Sequence, residues 1–231
     1  MSSTHMAAHE SSSSSISPSR PRRIILAVTG SVASIKLPLL VDRMRDAYKG
    51  AVELKIVTTR HAMHFFDPNN VGGVQVLTDA DEWNMWKRMS DPVLHIELRN
   101  WADAIVIAPL DANTLAKLAS GLSDNLLTCI LRAWDTAKPV IVCPAMNTVM
   151  WGHPFTRKHL GVCTGELGYA VIEPVVKTLA CGDTGVGAMA EVGFIAGVVR
   201  KMVPPIKSGE DGEAKVPHYE EHTVPAPAGP L

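Results

Sequence analysis

The chain has 231 residues, 46% of them hydrophobic, which fits one domain with a sizeable core. Its 22 Lys and Arg balance 23 Asp and Glu, so no strong field draws a polyanion, and nucleic acid and acidic membrane faces are poor partners. No stretch reaches the roughly 18 uninterrupted apolar residues of a membrane span, so no membrane segment is expected.

Residues 1–21 form a Ser/Pro-rich segment without an apolar run, so the expectation is a disordered tail, no secretory signal and a cytoplasmic protein; the Arg20, Arg22 and Arg23 cluster leaves a transit-peptide reading open. The apolar run at residues 24–28 predicts a buried strand. Thr29, Gly30, Ser31, Val32 and Ala33 follow, a tight glycine turn with a hydroxyl leading into a helix. Such a turn either caps the helix or seats a phosphate, and it lacks the G-x-G-x-x-G spacing of a dinucleotide site. Residues 32–48 predict that helix, with Leu37, Leu40, Val41 and Met44 on one stripe.

Residues 52–57 predict a second strand, followed by Thr58, Thr59, Arg60 and His61, which either start a helix or add donors to the same phosphate. Further on, Val93, Leu94 and Ile96 surround His95; a half-buried imidazole there can serve as a base near neutral pH, although a hydrogen-bonded structural His is the commoner case. A third strand at residues 104–107 runs toward Asp111, Ala112, Asn113 and Thr114, small and neutral groups suited to the polar edge of a flat ring. Residues 112–120 and 125–134 predict helices.

A fourth strand at residues 140–142 leads to Asn147, boxed by Pro144, Met146, Met150 and Trp151. A buried amide without partners costs about 1–3 kcal/mol, so Asn147 is either satisfied structurally or kept for a ligand. After a strand at residues 169–172 comes the glycine-punctuated segment 179–189, read as a lid that carries Cys181, a thiol able to deliver a proton to a closed site. A helix is predicted at residues 191–202, and a second disordered tail at residues 205–231. The four cysteines, at 129, 143, 163 and 181, show no C-x-x-C pair and no zinc-spaced His, so free thiols and no metal site are expected.

Buried strands alternating with helices imply an α/β fold: three layers around a doubly wound parallel sheet, flavodoxin/Rossmann-like. In such sheets ligands bind beyond the carboxyl ends of the strands, where all of these unusual segments fall.

Taken in order, Gly30 to Ala33, Asp91 to Ile96, Ala108 to Thr114, Asp124 to Thr128, Pro144 to Asn147 with Met150 and Trp151, and Ala180 to Asp183 resemble the homo-oligomeric flavin-containing Cys decarboxylases over residues 22–204. The resemblance implies one flavoprotein domain over that span, FMN as cofactor, and the branch of the family that decarboxylates phosphopantothenoylcysteine on the route to coenzyme A. It implies that the FMN phosphate falls to Gly30, Ser31 and Val32, with Thr59 and His61 nearby, and the ring to Asp111, Ala112, Asn113, Thr114 and Ala145. Asn147, Met150, Lys177 and Ala180 would bind substrate. His95 would act in the oxidative and decarboxylating half, which passes through a thioaldehyde, and Cys181 would protonate the remaining enethiolate. A homotrimer with active sites between subunits is implied as well. The same resemblance leaves two alternatives: a flavin-binding regulatory subunit of the phosphatase-inhibitor kind, and a decarboxylase of peptidyl cysteine.

Overall fold

Seven apolar or half-buried residues, Arg22–Val28, form strand β1 at the centre of the sheet, and every residue from Ile24 to Val28 is fully buried. The structure, a computed structural model, describes residues 20–178, 182 and 184–206; the two expected tails otherwise lie outside them. Arg20–Pro205 form one compact unit. Its six-stranded parallel sheet has the order β3-β2-β1-β4-β5-β6, with β2 at Val52–Thr58, β3 at Val76–Leu77, β4 at Ala104–Leu110, β5 at Val140–Pro144 and β6 at Ala170–Val171. The connections place helices on both faces, as parallel crossovers require.

Strand alternation sorts the core into two layers. Ile24, Leu26 and Val28 face Leu37, Leu40, Val41 and Met44 of α1 (Leu37–Ala47) and Ile195 and Val199 of α8 (Val192–Met202). Ile25, Ala27, Ile105 and Ile107 face the other way, toward α3 (Leu94–Trp101), α4 (Ala112–Ser120) and α5 (Leu126–Arg132). Each fully buried Leu or Ile contributes about 1.5–3 kcal/mol, which is why the charged residues Arg22, Arg23, Glu53 and Lys55 keep to the less buried first halves of β1 and β2. Two further helices, α6 (Thr148–Trp151) and α7 (Pro154–Gly165), follow β5, and α2 (Asp79–Met85) follows β3.

Three expectations needed adjustment. The helix expected at residues 32–48 is two pieces, a 3-10 turn over Val32–Lys36 and then α1, because Pro38 in the first turn of α1 has no N–H to continue the ladder. The segment read as a glycine-rich loop contains a strand, β8 (Thr184–Ala188), paired antiparallel with β7 (Val175–Thr178) outside the main sheet. The last sheet strand is short, two residues within the expected 169–172.

Candidate functional site

The sheet reverses its winding between β1 and β4, and the carboxyl ends of those strands meet there. Thr29, fully buried, ties them together: its hydroxyl donates to the Pro109 carbonyl (2.9 Å) and accepts from the Asp111 N–H (2.7 Å). The Ser34 hydroxyl holds the Thr29 carbonyl from the other side (2.8 Å). The Ala145 N–H then donates to the Leu110 carbonyl (2.9 Å), which sets the end of β5 beside the other two. Thr29→Val keeps the shape and removes the hydroxyl, leaving two buried groups unpaired; a loss of about 2 kcal/mol in a denaturant midpoint series is expected, together with weaker cofactor retention.

Between these ends the backbone approaches closely. A Cβ on Gly30 would lie 3.0 Å from Asp111 Oδ2 and 3.1 Å from His61 Cβ, so the turns after β1, β2 and β4 share one crevice that only glycine leaves open. Ser31 caps the 3-10 turn by accepting the Ala33 N–H, and the Val32 N–H at its first position has no partner within the turn. Asp111 accepts the Thr114 N–H (2.6 Å) and caps α4; Thr114 itself is buried, while Asn113 is exposed.

A cleft of about 400 Å³ opens beside this crevice, and Ser31, Val32, Ala145, Asn147 and Lys177 all line it. Five residues singled out from sequence thus line one cavity. Asn147 caps α6, its Oδ1 accepting the Val149 N–H (2.7 Å), which fixes the amide plane. Strand β8 forms the far wall: Gly187 accepts the Met146 N–H (2.9 Å), and Gly185 lies so close to Thr148 that a Cβ would meet its Cγ2 at 2.6 Å. Two lysines, Lys36 and Lys177, line the cleft, and both reach Glu191 Oε1, at 3.6 and 3.8 Å. Sequence reading named Thr29 only as part of the glycine turn and missed Ser34, Lys36 and Glu191; Ser34 and Lys36 had a visible cue, their place on the helix after that turn.

Other expected residues stand apart from that cleft. Met150 and Ala112 line a second groove of about 320 Å³ with Val149 and Phe155. His95, at the start of α3, contacts the Glu82 carboxylate of α2 through Nδ1 and lines neither. Thr59 is half-buried and His61 exposed behind Gly30. Ala180 and Cys181 lie outside the described residues.

Of the described thiols, none is poised to react. Burial pushes Cys143 up to about 12 and Cys163 up to about 11. Cys129 is raised first by burial and then by the carboxylates of Glu82, Asp79 and Asp124.

The donor set suits a flat, phosphorylated cofactor: a glycine crevice beside a hydroxyl-capped helix start, continuous with a mostly apolar cleft. The Flavoprotein family model matches residues 12–203. Phosphopantothenoylcysteine decarboxylase of Mus musculus is 54% identical over 187 residues, covering 81% of this chain and 90% of that protein. Among solved structures, a Cys-to-Ser variant of PPC decarboxylase complexed with pantothenoylaminoethenethiol superposes with a TM-score of 0.75 at 51% identity, covering 80% of this chain and 99% of the other. The FMN-binding protein AtHal3 gives a TM-score of 0.72 at 52% identity, covering 79% and 97%.

Proposed function

The chain belongs to the Flavoprotein family, and from that premise we propose that it is an FMN-dependent decarboxylase of phosphopantothenoylcysteine, yielding CO2 and 4'-phosphopantetheine for coenzyme A synthesis. The observation that carries this reading is the gathering of Ser31, Val32, Ala145, Asn147 and Lys177 on one cleft at the switch point of the sheet. The catalytic domain spans residues 22–204. Its place is the cytoplasm, in keeping with three free thiols among the described residues and no described helix long and apolar enough to cross a membrane.

Loss of CO2 from an unmodified cysteine would leave an unstabilised carbanion, and FMN, when bound, supplies the reversible two-electron sink that removes this obstacle without consuming nicotinamide. Gly30, Ser31 and Val32 hold its phosphate, with Thr59 and His61 behind them. Asp111, Ala112, Asn113, Thr114 and Ala145 border its ring. Asn147, oriented by its own capping bond, holds the substrate carboxylate; Lys177 and Ala180 contact the rest of the substrate, and Met150 acts from the second groove. His95 accepts the thiol proton at the start, and Cys181 returns a proton to carbon after CO2 has left.

The active unit is a homotrimer in which His95 serves a cleft on a neighbouring subunit. Two features support this: His95 does not line its own chain's cleft, and beside it Trp83 is 81% exposed and Met89 84% exposed.

Purified protein is expected to be yellow and to release CO2 from phosphopantothenoylcysteine without added nicotinamide, at a rate far above that with a cysteine-terminated peptide. Cys181→Ser is expected to bleach the flavin with substrate yet form no product. A colourless preparation that still decarboxylates, or full turnover by Cys181→Ser, would refute the reading.

A further inference from the structure

We propose that Glu82 is the positioning residue of His95: its carboxylate holds the imidazole in the tautomer protonated at Nδ1, so that Nε2 is the nitrogen that takes the substrate proton. The inference rests on His95 being the base of the proposed reaction.

The two side chains meet although they lie on different helices, Glu82 on α2 and His95 on α3. Glu82 is the more enclosed partner, with 15% of its side chain exposed against 25% for His95, so water screens the contact little. A carboxylate can only accept, and therefore the ring nitrogen it meets carries the proton. In the neutral imidazole the other ring nitrogen, Nε2, then holds the lone pair, and it has no hydrogen bond to the described residues.

Both helices are held for this purpose. The Thr78 N–H and hydroxyl each donate to Asp81 Oδ2 (2.7 Å), which fixes the first turn of α2. Asp79 Oδ1 accepts the Leu126 N–H (2.8 Å), which ties α2 to the start of α5. On α3, Leu94 and Leu98 are buried in the core on either side of His95. The imidazole is thus braced at its backbone and at one nitrogen, while the opposite nitrogen has no hydrogen-bond partner among the described residues.

The nearby groups fit the role. Asp79 and Asp124 add negative charge around Cys129, whose thiol burial and those carboxylates keep protonated. It does not compete for the substrate's proton. In the step itself the substrate S–H bond breaks, the sulfur keeps the electron pair, and the proton moves to Nε2. The imidazolium that forms is paired with Glu82 at Nδ1, as the orienting carboxylate of a catalytic triad pairs with its His.

A purely structural clasp between α2 and α3 would affect melting and tautomer but not chemistry, so the test reads tautomer and reaction rate together. In FMN-loaded protein carrying 15N-histidine, with the signals of His95 identified by their loss in His95→Asn, ring-nitrogen spectra are expected to show Nδ1 protonated and Nε2 bare. Glu82→Gln is expected to shift His95 toward the other tautomer and to slow anaerobic flavin bleaching by substrate on the order of 10²-fold, with substrate affinity unchanged. Glu82→Asp is expected to recover most of that rate. A protonated Nε2 in the parent protein, or bleaching at the parent rate in Glu82→Gln while His95→Asn is inactive, would overturn the role of Glu82 alone. Bleaching at the parent rate in His95→Asn would instead remove His95 from the reaction, and with it the role proposed for Glu82.

Discussion

Gly187→Ala is expected to lower turnover on the order of 10²-fold while the sheet and its helices stay folded. The added Cβ would stand 2.2 Å from the Met146 carbonyl oxygen, far inside van der Waals contact; that oxygen is backbone, and the Cβ is fixed to backbone by one bond, so no rotamer relieves the clash. Gly187 also has φ +154°, where a side chain is disfavoured. Relief requires β8 to move off the 146–148 segment, which breaks the Met146 N–H to Gly187 carbonyl bond and displaces the wall that faces Asn147. The strain amounts to about 1–3 kcal/mol locally. All four residues of β7 are exposed, so little core is lost when the pair shifts. Circular dichroism melts should therefore change by a few degrees at most, and steady-state CO2 release should show the large effect. Parent-level turnover in this variant would mean that β8 is not a wall of the working site.

The second large effect is expected from the double substitution Trp83→Glu with Trp86→Glu. Trp83, Trp86 and Met89 are exposed together on and just after α2. A Trp buries roughly 150–250 Å², so at about 25 cal/mol per Å² each ring represents several kcal/mol of association energy. Two carboxylates there would leave charges buried against a neighbour's surface. Light scattering is expected to show monomers where the parent forms trimers, with decarboxylation reduced at least 10²-fold because His95 no longer reaches a partner's cleft. An assembled and active double variant, or a parent that is active as a monomer, would sink the trimer proposal.

Much of the fold was legible because buried parallel strands are nearly pure apolar runs. The helix expected over residues 112–120 is observed over the same residues, since Asp111 caps one end and Gly121, at φ +69°, closes the other. The parts that escaped lacked such marks. Helix α7 buries only Thr156 and Cys163, so no apolar stripe announces it. Strand β8 reads T-G-V-G-A, with two glycines that suggest a loop; it is a strand because those glycines let its backbone press against Met146 and Thr148.

The site was legible to the extent that chemistry follows strand ends. Ser31 and Val32, Ala145 and Asn147, and Lys177 come from three separate segments, yet they share a cleft because the topology collects those segments. Asn147, open to two readings at first, holds a structural capping bond and faces the cleft as well. Glu82 was invisible, because its partner lies 13 positions away on another helix, a spacing that no periodicity links.

Among the described residues, the β7–β8 pair is fastened to the rest of the protein by one amide-to-carbonyl bond, the near contact of two glycines and the exposed Lys177–Glu191 ion pair. Its outward residues therefore carry almost no share of folding stability. A lineage could rewrite them freely, trading one acyl group for another at the entrance, while the layers beneath keep the same electron chemistry. A segment fastened in this manner is where new substrate ranges would arise at the smallest cost to fitness.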